Sequence, residues 1–129
     1  MSISFGSELG PWRIEGVDPE KMKVFAVVLA DPNPIHLDSE ATKAAGLGDR
    51  VINQGPAGLG YVLNMLAVAV PDGQIRDLTV RFTANVFAGD TVTAAGEVES
   101  VEARDGEQLV TCRVWLDVAD GPRALHGTA

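Results

Sequence analysis

Apolar positions in this chain recur with two different periods, and the change from one to the other divides it into two halves. Pro11 to Val17 alternate apolar and polar side chains, as a half-buried strand does, and Gly16 offers a turn. Asp18-Pro19 then reads as an N-cap followed by proline at the first helical position. Met22, Phe25, Ala26 and Leu29 fall on one face at helical spacing, so a helix is expected to run towards Asp31. Asp38 or Ser39 is placed to cap a short helix through Ala45, with Gly46 and Gly48 available for the left-handed turn that ends it. A longer helix opens at Gly55-Pro56 and reaches about Val68. It is apolar nearly all round, which predicts burial, and Gly58 and Gly60 cost it about 1 kcal/mol each against alanine. Something is therefore expected to press close on that end: a sheet or partner, or a ligand passing a helix N-terminus whose free N–H groups favour negative charge.

After this helix the period becomes two. Leu78, Val80 and Phe82 alternate with Thr79, Arg81 and Thr83, in a pattern that can extend from Ile75 to Phe87. Val92, Ala94, Gly96 and Val98 continue it from Thr91 to Ala103, and Arg104-Asp105-Gly106-Glu107 has the Asp-Gly chemistry of a tight hairpin. Val110, Cys112, Val114, Leu116 and Val118 then share one face, and Asp120-Gly121-Pro122 turns the chain into a last run from Arg123 to Ala129. Long strands in antiparallel succession need one apolar body to cover, and the long helix is the candidate. The expected class is α+β, with residues 1–129 forming a single domain.

Between the first two helices lies Asp31-Pro32-Asn33-Pro34-Ile35-His36. Each proline fixes its own φ and pushes the preceding residue out of the α region, so this segment is a bend with a preset shape. It carries a carboxylate and an imidazole five residues apart. General acid-base chemistry needs such groups within hydrogen-bond reach of one reacting atom. The six residues alone fit equally well a proline turn with an Asp cap and a histidine of no consequence.

Composition narrows the field. With 129 residues, 18 acidic against 10 basic and no Lys/Arg run, the chain lacks the footprint of a nucleic-acid binder. Cys112 is the only cysteine, which excludes an intramolecular disulfide and a cysteine-rich zinc site and suits a reducing compartment. The first ten residues lack the basic start and apolar run of a signal peptide, and the longest apolar stretch, Leu59 to Val70, is broken by Gly60 and Asn64. The expectation is a soluble cytoplasmic protein with no membrane or nucleic-acid partner. Two histidines and no repeated carboxylate spacing leave neither a metal nor an organic cofactor implied.

Taken together, Asp31-x-Asn33-Pro34-Ile35-His36-x-Asp38, the short helix ending Ala45-Gly46-Leu47, Gly55 opening the long helix, Val80-Arg81-Phe82 and Gly89-Asp90-Thr91-Val92 resemble the MaoC-like (R)-specific enoyl-CoA hydratase and 3-hydroxyacyl dehydratase family. The resemblance spans the chain from about Phe25 to the last strand. It implies a hot-dog fold, in which a long antiparallel sheet wraps a central helix. It also implies a hydro-lyase that adds water to a trans-2-enoyl thioester. On that resemblance Asp31 and His36 grip the water, and the Gly55 N–H holds the thioester oxygen as charge develops there. Asn33, Gly58, Gly60 and Arg81 become candidates for substrate contact. Acyl-CoA is the expected substrate, with an acyl carrier protein the second choice because such carriers are themselves acidic. The partner is a second hot-dog chain, identical or not.

Three positions depart from the family pattern. Ala30 stands where a glycine is usual, Gln54-Gly55-Pro56 replaces His-Gly-Met, and Gly60 replaces a frequent serine. Gly58 and Gly60 would leave room for a wide acyl chain. Lys43, Arg50, Arg76 and Arg81 are the cations to consider near a phosphate, although each also fits an ordinary surface residue. His126 reads as a strand residue, and Trp12 and Trp115 as packing or interface aromatics. The competing readings are a catalytically silent hot-dog subunit of a heteromer and a hot-dog acyl-CoA thioesterase. The intact Asp31 and His36 favour the hydratase.

Overall fold

The computed structural model describes residues 3–129. Five strands, β1 (Glu8–Ile14), β2 (Thr79–Phe82), β3 (Val92–Arg104), β4 (Glu107–Val118) and β5 (Arg123–Thr128), form one antiparallel sheet in the order β1-β3-β4-β5-β2. The helices α1 (Pro19–Val28), α2 (Ser39–Ala44) and α3 (Gly55–Ala69) all lie between β1 and β2 in sequence.

The sheet is built on its longest ladder. β3 and β4 pair from Val92 opposite Val118 to Arg104 opposite Glu107. The two-residue turn at Asp105-Gly106 has φ of +51° and +79°, the double left-handed geometry that Asp-Gly supplies at least cost. Beyond Ser100 and Thr111 no third strand among the described residues flanks this ladder, so its end projects as a two-stranded arm. Nearer the middle, Val92, Ala94 and Val98 of β3 and Cys112, Val114 and Leu116 of β4 are buried on one face. The period-two pattern read in the sequence is the face that α3 covers.

α3 packs on β1, β3 and β4 through Ala57, Gly58, Val62, Met65 and Leu66. A Cβ on Gly58 would sit 3.3 Å from Leu116 Cδ2, so the missing side chain lets the helix start close against the sheet. On the side away from the sheet the helix remains apolar but uncovered, with Leu63 37% and Val68 67% exposed.

Two strands differ in extent from the sequence pattern. β1 begins three residues earlier than expected and runs through Pro11, which an edge strand tolerates because one row of its backbone groups has no partner. A register shift between Leu9 and Trp12 absorbs the proline. β2 covers four residues rather than the thirteen that alternate from Ile75 to Phe87. Its only neighbour is β5, six residues long and begun just after Pro122, and an edge strand cannot outlast its partner. Phe87 makes a separate bridge to Ile52.

Candidate active site

The bend from Asp31 to His36 is held by backbone and side-chain bonds that its own sequence supplies. α1 ends in a Schellman arrangement: the Ala30 N–H donates to Val27 O (3.2 Å) and the Asp31 N–H to Ala26 O (2.9 Å). This requires a left-handed residue at Ala30, whose φ is +50°. The carboxylate of Asp31 is thus launched from a fixed helix terminus. Its Oδ1 accepts the Asn33 N–H (3.1 Å), and Asn33 Oδ1 in turn accepts the Ile35 N–H (3.2 Å). These two short-range turns start a single 3₁₀ turn, Pro34–His36, and commit the Asn33 side-chain oxygen to the backbone. Asp38 then caps α2 by accepting the Glu40 N–H, while buried Thr42 Oγ1 donates to Ile35 O and Asp38 O, tying α2 back to the bend.

The result brings Asp31 Oδ2 within 3.3 Å of His36 Nε2. His36 is buried, whereas the Asp31 side chain keeps 36% of its exposure, so the pair opens outward from the carboxylate. The other ring nitrogen, Nδ1, lies 2.7 Å from Ile52 O. A carbonyl can only accept, so Nδ1 carries the proton of that bond. In the neutral ring Nε2 then presents its lone pair towards Asp31. A proton or a water arriving at Nε2 and Oδ2 is shared by both.

Residues 52 to 55 form a strip bonded to the bend, to the segment at Val86 and to α1. The Ile52 N–H donates to Ile35 O (2.9 Å) and the Asn53 N–H to Val86 O (2.7 Å). The Gln54 side chain donates from Nε2 to Met22 O in α1 (2.8 Å). Gln54 is also the N-cap residue of α3, and its side chain makes no capping bond. Gly55 follows as the first helical residue, where an N–H has no partner within its own helix. The Phe82 ring rests over Gly55 so closely that a Cβ there would meet it at 3.1 Å.

Gly55 and Gly58 line a cavity of about 90 Å³ whose walls include Asn53, Gln54, Phe82, Asn85 and Leu116. Asp31 and His36 are not among its lining residues. The pair and the cavity meet instead through the strip, since His36 holds Ile52 and the next three residues face the cavity. Gly60 is half-buried, with open space within 4 Å of where a Cβ would stand. Arg81 is exposed on β2, opposite His126 of β5, and has no ion-pair partner among the described residues. The other candidate cations are engaged: Lys43 with Glu40, Arg50 with Asp90 and Arg76 with Glu107. Tyr61 OH accepts weakly from Asn53 Nδ2 (3.4 Å), and burial pushes its phenol above the ordinary range.

The family model for the MaoC-like domain matches residues 8–119. The chain belongs to the MaoC-like family. Among curated relatives of this MaoC-like chain is a UPF0336 protein of Streptomyces avermitilis, 31% identical over an alignment 108 positions long, which covers 75% of this chain and 70% of the relative. Among solved structures, the (R)-hydratase from A. caviae involved in PHA biosynthesis superposes with a TM-score of 0.86 at 25% identity, covering 100% of this chain and 96% of that one. A chain of the ChsH1-ChsH2 complex from Mycobacterium tuberculosis superposes with a TM-score of 0.78 at 24% identity, covering 99% and 95%. The fold is the hot-dog fold, and the family places the chain among hydratases and dehydratases, that is, among hydro-lyases.

Within this MaoC-like frame, sequence reading singled out Asp31, His36 and the entrance to α3 as candidates, but not what holds them. The Ile52 carbonyl has no signal in sequence, because any residue can offer one. Gln54 was visible only as a histidine replaced, and its reach to Met22 depends on how α1 packs. Among the described residues no cluster of three or more His, Cys, Asp or Glu side chains is placed to hold a metal ion. No helix of the described residues is long and apolar enough to cross a membrane.

Proposed function

We propose that this protein catalyses reversible hydration of a trans-2-enoyl thioester, carried on coenzyme A, to the (R)-3-hydroxyacyl thioester. The observation that carries this reading is the pairing of Asp31 Oδ2 with His36 Nε2 at 3.3 Å, with Nδ1 already committed to Ile52 O. Two acceptors that converge in this way hold one water by both of its hydrogens. As the water oxygen bonds to C3, one of its protons passes to the pair and the C2=C3 electrons move through the thioester to its oxygen. The Gly55 N–H receives that developing charge, and a donor of this kind typically contributes about a hundred- to a thousandfold in rate. The pair then returns a proton to C2 as the enolate collapses, so the atoms of one water are added overall. Dehydration is the same path reversed.

The acyl group is read as bulky, branched or ring-bearing, because Gly60 leaves open space where the family often has a serine. Arg81 is the cation free to meet a phosphate of the carrier. A second hot-dog chain completes the assembly, identical or different. Three observations support this: the pair lies outside the lining of the cavity that contains Gly55, the outer side of α3 is apolar and uncovered, and one similar structure is a complex of two named chains.

A panel of enoyl-CoA substrates, assayed for hydration and for free thiol with wild type and Asp31→Asn, tests the reading. Hydration by wild type is expected, with a loss of at least about a hundredfold in the variant. Equal rates in the two proteins would sink the mechanism, and thiol release would turn the reading to a thioesterase. Faster turnover of crotonyl-CoA than of larger substrates would remove the bulky acyl group. Size exclusion of the chain alone, before and after adding a second hot-dog chain, distinguishes a self-paired from a mixed assembly.

A further inference from the structure

We infer that Gln54 is a positioning residue, which sets the distance between the Asp31–His36 pair and the N–H group of Gly55. The inference rests on the hydratase reading and names a residue whose side chain need not touch the substrate.

Gln54 joins two elements that carry opposite halves of the candidate site. Its backbone carbonyl accepts the Ala57 and Gly58 N–H groups, which begins α3 and fixes where Gly55 points. Its side chain donates to Met22 O in the first turns of α1, 2.8 Å away. From Met22 the rigid helix leads to the Schellman end that presents Asp31. The same strip holds the third group, since Ile52 O receives His36 Nδ1. Asp31, His36 and Gly55 are therefore all referenced to residues 52–54.

The chemistry of the side chain supports a role other than stability. Gln54 is 1% exposed, and its Oε1 finds no hydrogen-bond partner among the described residues. The amide cannot be turned over to remedy this, because Oε1 would then face the Met22 carbonyl. A buried acceptor without a partner is destabilising, and a hydrocarbon side chain of equal length would not incur that cost. The residue also forgoes the capping bond that serine, threonine or aspartate would make at this position. Pro56 has no N–H and the Ala57 and Gly58 N–H groups go to the Gln54 carbonyl, so among the described residues the N–H left without a partner at the start of α3 is that of Gly55. A position that gives up two local gains and keeps one long-range bond matches the expectation for a residue held for geometry, since such local inconsistencies gather at functional sites.

Gln54→Met keeps the volume and removes both the strut and the orphaned oxygen. It is expected to melt at or above the wild-type temperature. Its kcat for the best enoyl-CoA substrate is expected to fall about tenfold to a hundredfold, the penalty typical of a misplacement of about 1 Å, with KM within about twofold. Gln54→His carries an N–H donor of comparable reach and is expected to recover most of the lost rate. Wild-type kcat in Gln54→Met would overturn the inference, as would a rate loss that simply follows a fall in melting temperature, or no recovery in Gln54→His. Crystal structures of wild type and the two variants supply an arm that needs no activity. In Gln54→Met the Asp31 carboxylate is expected to leave hydrogen-bond reach of His36 while the His36–Ile52 bond stays, and an unmoved carboxylate would refute the role. If wild type hydrates no member of the panel, the reaction assignment falls on that result alone, and the crystallographic arm still decides whether Gln54 sets the geometry.

Discussion

Ala30 pays a conformational cost so that Asp31 can sit where it does. At φ of +50° its Cβ crowds the backbone, a strain of about 1–2 kcal/mol for a residue other than glycine. Part of that is recovered in the unfolded state, where alanine has less freedom than glycine. Ala30→Gly is therefore expected to raise stability by up to about 1 kcal/mol, measured by denaturant unfolding, while hydration activity stays within about twofold. Cys112 gives a second prediction at this scale. Burial, and then the nearby Glu99 carboxylate, hold its thiol above its ordinary value. The folded protein therefore binds this proton more tightly than the unfolded chain. The sign follows: the contribution is fully present below the ordinary thiol range near about 8.5, and is lost as pH rises through the higher folded value. Stability should decline across that window in wild type and less so in Cys112→Ala, and alkylation of native protein at neutral pH should be far slower than after unfolding.

At the scale of elements, legibility followed how local the cause was. The Asp18-Pro19 and Asp38 caps, the Asp105-Gly106 turn and the buried face of β4 are decided by neighbours in sequence, and each was readable. The length of β2 was not, because it is set by β5, some forty residues later. The closeness of Asp31 and His36 was legible because two prolines and two Asx turns fix it within six residues, whereas its candidate role needed the helix at Gly55 and the later strands as well. The anchors of the pair on Ile52 and, through α1, on Gln54 depend on how distant segments pack. Gly127 shows the same limit. Nothing in the last run marks it, yet it lies where β5 meets β2, and a Cβ there would collide with the Thr79 carbonyl. Gly127→Ala is expected to cost about 1–3 kcal/mol through overpacking. Hydrogen exchange should show faster opening of Thr79 to Phe82 in this variant, with the β3–β4 ladder unchanged. Uniform acceleration across the sheet would contradict that account.

The whole molecule carries a formal charge of −8, and that bears on which thioester carrier it meets. An acidic carrier protein must approach against this field, and the repulsion is screened by salt. Preference for coenzyme A predicts a KM for the CoA thioester lower than for the same acyl group on a carrier protein at low ionic strength. Adding salt should narrow the gap by lowering the carrier value, and a lower KM for the carrier-bound form at low salt would reverse the assignment. The molecule also offers a practical means of handling such experiments. Among the described residues the β3–β4 arm beyond Ser100 and Thr111 pairs with no other strand, ends in an exposed two-residue turn, and bears none of the candidate residues. Exposed turns are where chains best accept foreign segments. A dye, an affinity peptide or a surface linkage placed at Asp105-Gly106 would let the protein be immobilised in one orientation, with α3 and the Asp31–His36 bend left untouched.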